Sequence, residues 1–105
     1  LPLGGNCIRR DLGTEAMAEI TAVLRESIGY SLEHRVEAVE YALQFARDMG
    51  RDLADRFVAM YVNDWTLDYG DRGREAVRQL LARGVEIGMV PAVETLDFVS
   101  PADCC

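Results

Sequence analysis

This 105-residue sequence contains one histidine, the side chain type best suited to acid–base chemistry near neutral pH. His34 lies in the stretch SLEHR, with Glu33 and Glu37 close to it. An imidazole titrates near neutral pH, and it works as a general base when a carboxylate orients it in a cleft. Such neighbours are ordinary on an acidic surface, and the spacing builds no cleft. We therefore interpret His34 as a solvated residue at a helix start.

The densest group of polar residues lies in YVNDWTLDYGDRG, residues 61–73. Its three carboxylates, Asp64, Asp68 and Asp71, lack the alternate spacing and the closing glutamate of a calcium-binding EF-hand loop. The GDRG at its end lacks the Lys-Ser/Thr of a phosphate-binding P-loop. Turn formation explains the same residues: Gly70 supplies an unusual dihedral angle and Asp71 caps the next helix. We predict no metal site and no cofactor.

Two aromatic residues of this stretch, Trp65 and Tyr69, have rings that could stack on a ligand. Aromatic residues in loops more often fill a groove between helices, so we predict that both are structural anchors. Near the N-terminus, Gly4 and Gly5 follow an apolar pair, and glycine lets the backbone approach a ligand or act as a hinge. By the local pattern alone, Gly4–Asn6 is a turn.

The charge and cysteine content limit the class of protein. The net charge is −7, with 18 acidic residues against 11 basic ones, which disfavours nucleic acids and anionic membranes as partners. No apolar run approaches the roughly 20 residues of a membrane-spanning helix. Cys7, Cys104 and Cys105 form no disulfide framework and lack metal-ligand spacing. We expect a reduced, cytoplasmic protein, and the start at Leu1 without a signal-peptide pattern suggests a piece of a longer chain.

Four helices are predicted to position these residues. The first is capped by Thr14 and runs to about Tyr30 or Leu32, and the second begins near Glu33 and ends at Gly50 as a left-handed C-cap. The third is capped by Asp52, and the fourth runs from Asp71 to Gly88. Their apolar stripes are Met17, Ile20, Leu24 and Ile28; Val36, Val39, Leu43 and Ala46; Leu53, Phe57, Met60 and Tyr61; and Ala76, Val77, Leu80, Leu81 and Val85.

The connections between and around these helices are predicted to be extended or irregular. Apolar residues alternate at Trp65, Leu67 and Tyr69, which is typical of an extended loop. A short extended segment precedes the first helix, and an irregular tail carries a short extended piece at Leu96–Val99. The predicted fold class is mainly α, with four helices and short extended ends.

Two separated motifs resemble one enzyme family. LPLGGNCIRRDLG at residues 1–13 and YVNDWTLDYGDRG at residues 61–73 are similar to a PLPLGG…IRRDLG-like segment and a later YVN…LDxGxxG segment of the 1,4-dihydroxy-6-naphthoate synthase family. YSLEH at residues 30–34 resembles the helix junction between them. The resemblance extends from Leu1 to about Val99 and concerns the C-terminal part of the family. Chorismate dehydratase, of the same pathway, shares the fold but resembles this loop less.

The resemblance implies a fold and an activity for the whole protein. The fold would be that of two-lobed periplasmic binding proteins, with a ligand cleft between α/β lobes. The activity would be that of a metal-free lyase of the futalosine route to menaquinone, which converts a cyclic futalosine derivative into 1,4-dihydroxy-6-naphthoate. Residues 1–99 would then be a C-terminal segment, followed by a tail at 100–105.

For this chain the resemblance implies scaffold more than chemistry. The catalytic histidine of the family belongs to another part, so His34 does not take its role, and we expect no activity from the chain alone. The small-molecule substrate would bind only the full-length protein, with Gly4 and Gly5 near its cleft or hinge. Gly5→Val in that protein should lower turnover more than stability, and Trp65→Ala should cost about 3 kcal/mol if the ring is a buried anchor.

A second hypothesis is a free-standing helical interaction module, which as a homodimer would bury its apolar surface in trans. The two hypotheses differ in exposure. A segment that packs on a missing lobe should expose an apolar face that includes Trp65, Tyr69, Phe57 or Phe98, whereas a module should cover these residues. A helix-turn-helix DNA-binding protein is disfavoured by the charge and by the long connection before the fourth helix.

Overall fold

The computed structural model describes residues 4–46 and 48–101, so Cys104 and Cys105 of the tail lie outside the described residues. A 3₁₀ turn at Arg10–Leu12 precedes five helices. In chain order these are α1 (Thr14–Glu33), α2 (Arg35–Leu43), α3 (Arg51–Tyr61), α4 (Asp64–Leu67) and α5 (Gly70–Glu86). The described ranges contain no strand, including at Leu96–Val99. The mainly α class is confirmed, and the four longer helices correspond to the four that were predicted.

The predicted caps of α1 and α3 are wrong by one or two residues. Gly13, with φ of +83°, is the N-cap of α1, and Thr14 is its first helical residue. Gly50 is the N-cap of α3, and Asp52 lies in the first turn. A carboxylate in the first turn interacts favourably with the helix dipole without capping it, so the sequence pattern of an acidic residue near a helix start fits both positions.

The end of α2 also differs from the prediction. Gly50 is not a left-handed C-cap, since its φ is −70°. Instead, α2 ends at Leu43, and the amides of residues 44–46 donate to carbonyl oxygens three residues back. Such tightened turns commonly satisfy the last carbonyls of a helix. The apolar residues keep their helical spacing as far as Ala46, so the sequence pattern predicted a helix longer than α2.

The connection between α3 and α5 is helical rather than extended. Residues 64–67 form α4, and α5 begins at Gly70 with Tyr69 as its N-cap, not at Asp71. Alternation over three apolar residues is too short to separate a strand from one helical turn whose cap is built by side chains. The turn predicted at Gly4–Asn6 is likewise not formed, because residues 4–9 are irregular.

The first three helices form the most closely packed part of the molecule. α1 packs on α2, on α4 and on the 3₁₀ turn, and α2 packs on α3. Val39 of α2 and Ala54 of α3 are the buried apolar residues of the described chain. Two ion pairs join the same helices: Arg35 Nε lies 2.7 Å from Asp55 Oδ1, and an Arg51 guanidinium nitrogen lies 3.0 Å from Glu40 Oε1.

α5 ends two residues before the predicted Gly88, which has φ of +72°. The amides of Met89 and Val90 turn back to the carbonyl oxygen of Gly84. A side chain at Gly84 would collide with Val90, so the chain reversal requires glycine there. Leu80, predicted to face inward, is 51% exposed.

The chain is expanded for its length. Its radius of gyration is 16.2 Å, whereas a compact domain of this length has about 13 Å. The accessible surface is 8636 Å², against about 5,900 Å² for a folded monomer of this mass. The difference, about 2,700 Å², is surface that a compact protein of this size would cover.

No helix within the described ranges combines the length and apolarity needed to span a membrane.

Much of this extra surface is apolar. The outer face of α3 is exposed, and it consists of the residues predicted to form the apolar stripe of this helix: Leu53, Phe57, Met60 and Tyr61. Of the four residues that separate the two hypotheses, Phe57 and Trp65 are about half exposed, at 49% and 52%. Tyr69 and Phe98 are partly buried. This pattern favours a segment that packs on a further protein surface.

Candidate functional site

The turn that contains Trp65 is built by two polar side chains. Asn63 accepts a hydrogen bond from the Trp65 amide at 3.0 Å and donates to the Ala59 carbonyl oxygen at 3.2 Å. Thr66 Oγ1 accepts from the Asn63 amide at 3.1 Å and donates to the Tyr61 carbonyl oxygen at 2.8 Å. This reciprocal capping box satisfies amides at the start of α4 that have no partner within the helix. It explains why Asn63 and Thr66 frame the tryptophan.

The next turn is made by Asp68 and Gly70. Asp68 Oδ1 accepts a hydrogen bond from the Gly70 amide at 2.8 Å, and Arg74 lies 3.5 Å from the same oxygen. Gly70 has φ of +55°, a conformation that side chains disfavour, so the predicted unusual dihedral angle is confirmed. Asp71 is in the first turn of α5 rather than at its cap. These carboxylates therefore shape a turn and a helix start.

The second glycine of the motif is required by packing. Gly73 is buried, and a Cβ atom at this position would lie 2.9 Å from Tyr69 Cβ and 3.6 Å from Trp65 Cε3. Contacts of 2.9 Å between carbon atoms are repulsive, since the optimum is about 3.5–4.0 Å. The two predicted anchors, Trp65 and Tyr69, thus both lie close to position 73, which only glycine fits without rearrangement.

Tyr69 connects this motif to the predicted cleft or hinge residues. Its hydroxyl donates a hydrogen bond to the Gly4 carbonyl oxygen at 3.0 Å. A Cβ atom at Gly5 would lie 3.3 Å from the same hydroxyl oxygen, whereas one at Gly4 would meet no atom within 4 Å. The structure therefore brings together Gly4, Gly5 and Tyr69, three of the four residues singled out in the sequence, and the fourth, Trp65, lies near Gly73.

The C-terminal segment completes the group. Phe98 meets the Tyr69 ring edge-on with 6.3 Å between ring centroids, and the guanidinium groups of Arg74 and Arg78 lie 6.0 and 5.3 Å from the centre of the Phe98 ring. We call Gly4, Gly5, Tyr69 and Phe98 the Tyr69 junction. Sequence reasoning did not place Phe98 beside Tyr69, because no local periodicity signals a contact across 29 residues.

A second long-range tie lies beside the junction. Arg10 pairs with Asp97 at 2.5 Å and donates to Thr95 Oγ1 at 3.3 Å. All three side chains are exposed, so this tie orients the N-terminal and C-terminal segments more than it stabilises them. Cys7, between Gly5 and Arg10 in sequence, is exposed and free.

The histidine does not join the junction. The His34 ring stacks on the Tyr30 ring with 4.0 Å between centroids, and Nδ1 lies 3.0 Å from the Tyr30 carbonyl oxygen. The His34 amide donates to the same oxygen. This places His34 at the C-cap of α1, directly before α2, which agrees with its interpretation as a helix-junction residue.

An apolar groove of about 230 Å³ lies between α1, α2 and α3. Its lining includes Ile28, Leu32, Val39 and Val62, and Arg35 lies at its side. The hydrogen bond from Arg35 holds the pKa of Asp55 below its usual value, and the same bond raises the pKa of Arg35. The groove's cation is paired to Asp55, and Ser31, one of two serines in the lining, donates its hydroxyl to the Ser27 carbonyl oxygen, so the groove is mainly an apolar surface.

Metal-binding side chains are not grouped in the described part of the chain. No set of three or more histidine, cysteine, aspartate or glutamate residues there is placed to hold a metal ion. The described residues can therefore position backbone and aromatic groups, with the Tyr69 junction as the place where the two sequence motifs meet.

The sequence is similar to known proteins over most of its length. Residues 1–86 match the model of a family described as menaquinone biosynthesis. A 1,4-dihydroxy-6-naphtoate synthase of Streptomyces coelicolor is 33% identical over 93 residues, which are 89% of this chain and 33% of that protein. One of Thermus thermophilus is 35% identical over 89 residues, which are 85% of this chain and 33% of that protein. No solved structure matches. The chain spans about a third of the length of these curated relatives.

Proposed function

We propose, because this chain belongs to the menaquinone-biosynthesis family, that it forms the C-terminal part of an enzyme that makes 1,4-dihydroxy-6-naphthoate. The observation that carries the proposal is the similarity to two synthases of that name over 85–89% of the chain. The whole enzyme would be a cytoplasmic lyase acting on a cyclic futalosine derivative, with a cleft between two lobes of a periplasmic-binding-protein-like fold.

Within that enzyme, this segment serves as scaffold. Its one histidine lies at the end of α1, apart from the Tyr69 junction, and the family resemblance implies that the catalytic histidine belongs to another part of the protein. Gly4 and Gly5 border the substrate cleft or its hinge, and Trp65 and Tyr69 anchor the last helices. The exposed outer face of α3 and the roughly 2,700 Å² of additional accessible surface support this role, because both require a further surface to pack on.

A chimera tests this function. In it, the segment of the Thermus thermophilus relative that matches this chain is replaced by the chain itself. The purified chimera should convert the cyclic futalosine derivative into 1,4-dihydroxy-6-naphthoate, detected by chromatography and mass spectrometry. The unaltered relative is the positive control, and the relative without its matched segment is the negative control. A folded, monodisperse chimera without naphthoate formation would contradict the proposal.

The uncovered apolar surface also suits the alternative, a free-standing module that forms a homodimer without catalysis. Sedimentation velocity and near-ultraviolet circular dichroism of the 105-residue chain separate the two. An expanded or aggregating chain supports the synthase segment, whereas a compact dimer with an ordered signal from Trp65 supports the module. In either case the charge of −7 disfavours a nucleic-acid partner.

A further inference from the structure

The segment before α1 is held by few polar contacts. Within the described chain, residues 4–8 form no backbone–backbone hydrogen bond with any other residue. The hydroxyl of Tyr69 reaches the Gly4 carbonyl oxygen across 65 residues of sequence. The next long-range polar tie begins only at Arg10. The backbone at Gly4 and Gly5 is therefore positioned chiefly by one phenol.

That phenol is itself closely fixed. Tyr69 is the N-cap of α5, between the Asp68 turn and the positive φ of Gly70. Its Cβ is against the backbone of Gly73, and its ring meets the edge of Phe98. A side chain that is already ordered loses little conformational entropy when its hydroxyl forms a hydrogen bond. Tyr69 can thus transmit the position of α5 to the N-terminal segment.

The two glycines are not equivalent at this contact. Gly5 approaches the Tyr69 hydroxyl so closely that a Cβ atom at Gly5 would lie 3.3 Å from the hydroxyl oxygen. A Cβ atom at Gly4 would meet no atom within 4 Å. Gly4 supplies the carbonyl oxygen, and Gly5 supplies the space. Glycine at position 5 is therefore explained by the close approach of the Tyr69 hydroxyl, whereas no contact within the described chain requires glycine at position 4.

We infer that Tyr69 is a positioning residue: its hydroxyl holds the Gly4–Gly5 backbone against the start of α5 and so sets the path of the chain beside the substrate cleft. The part of this inference that concerns the cleft rests on the proposed function. In this role Tyr69 acts through the backbone of Gly4 and Gly5, which its hydroxyl contacts.

The test compares Tyr69→Phe with the parent chimera. This substitution keeps the ring and removes one hydrogen bond, so kcat should fall about fivefold, the factor expected for one bond of ordinary strength. KM should change less than twofold, and the thermal midpoint should stay close to that of the parent. Tyr41→Phe is the matched control, because Tyr41 is an exposed tyrosine of α2, and it should leave both constants unchanged. An unchanged kcat in Tyr69→Phe would overturn the inference, as would a loss confined to stability.

A double mutant sharpens the test. Gly5→Ala should lower kcat because its methyl group displaces the hydroxyl of Tyr69. Once that hydroxyl is removed in Tyr69→Phe, the added methyl group should cause little further loss. If the fold-losses in kcat of Gly5→Ala and Tyr69→Phe simply multiply in the double mutant, the close contact between Gly5 and the Tyr69 hydroxyl is contradicted.

Backbone dynamics separate this inference from the proposed function. Residues 5–8 form no backbone–backbone hydrogen bonds within the described chain, so their order is measured by NMR order parameters. In Tyr69→Phe, the order parameters of these amides should fall from the range of an ordered backbone to below about 0.6. Gly4→Ala should leave them unchanged, because its Cβ meets no atom within 4 Å. If the folded parent chimera makes no naphthoate, the proposed function fails, and the order parameters alone decide whether Tyr69 holds this segment. Equal order parameters in the parent and in Tyr69→Phe would overturn the inference.

Discussion

The residues around the Tyr69 junction find their partners within the chain, whereas the outer face of α3 lacks a surface to pack on. Around the junction, the side chains of Asn63, Thr66, Asp68 and Tyr69 all find hydrogen-bond partners within the chain. On α3, the apolar residues Leu53, Phe57, Met60 and Tyr61 remain exposed. Polar loop motifs can close upon themselves over a dozen residues, whereas an amphipathic helix face needs a second surface.

The difference separates the parts of the sequence that are stabilised within this segment from those that are stabilised only by contact with a further surface. A hydrogen bond contributes roughly 1 kcal/mol once both partners are present, so the turn from Asn63 to Gly70 is specified locally. Apolar surface contributes roughly 25 cal/mol per Å² only when it is removed from water. The exposed helix faces therefore stabilise the molecule only when something covers them. Trp65 combines both features, because its amide donates to Asn63 while the residue is 52% exposed.

The largest expected effect is at Trp65. If the rest of the synthase covers the exposed part of the ring, Trp65→Ala in the chimera should lower the free energy of unfolding by about 3 kcal/mol. Denaturant unfolding followed by far-ultraviolet circular dichroism measures this loss. Trp65→Phe, which keeps an aromatic ring, should lose less than half as much. A change within about 0.5 kcal/mol for the alanine variant would mean that the ring stays exposed and anchors nothing.

Gly73 tests the packing inside the motif and should give the next largest effect. Gly73→Ala places a methyl group 2.9 Å from Tyr69 Cβ, and overpacking of this kind should lower the free energy of unfolding by roughly 2 kcal/mol. Gly4→Ala is the control, since its methyl group meets open space. Equal unfolding midpoints for the two variants would show that the contact of Gly73 with Tyr69 and Trp65 is not close.

The sequence predicted the helices better than it predicted their ends and their contacts. Periodicity located the four longer helices, because an apolar stripe records which face of a helix is meant to be covered. It misjudged residues 64–67, where side-chain capping by Asn63 and Thr66 outweighs an alternating pattern. The roles predicted for Gly4, Gly5, Trp65 and Tyr69 stay predictions. The sequence did not indicate that Gly4 and Tyr69 meet, because this contact spans 65 positions and leaves no local signal.

Asn63 sharpens the contrast at a smaller scale. Asn63→Ala removes the acceptor for the Trp65 amide and the donor to the Ala59 carbonyl oxygen, and should lower the free energy of unfolding by about 1 kcal/mol. Asn63→Asp keeps the acceptor and should recover most of the loss. Thermal unfolding of the three proteins measures the series. If aspartate is no better than alanine, the capping contact is not what holds α4 in place.

The smallest effect should come from pH, through the ion pair that joins α2 to α3. The hydrogen bond from Arg35 holds the pKa of Asp55 below its usual value of 3.8. Because the pKa is lower in the folded state, the stabilisation is complete above the unfolded pKa and is lost as pH falls through the folded one. The difference in unfolding free energy between the parent and Asp55→Asn should therefore be constant above about pH 5 and should shrink below about pH 4.

Asp11 supplies the control for this last prediction. Its pKa is also lowered, by the hydrogen bond from Arg9, but these partners are only two residues apart. A pair so close in sequence can also form in the unfolded chain, which lowers the unfolded pKa as well and cancels much of the pH dependence. Asp55 and Arg35 are 20 residues apart and meet only when α2 packs on α3. Asp11→Asn should therefore change the pH dependence of unfolding less than Asp55→Asn, and an equal change would show that the helix pair contributes nothing beyond local charge pairing.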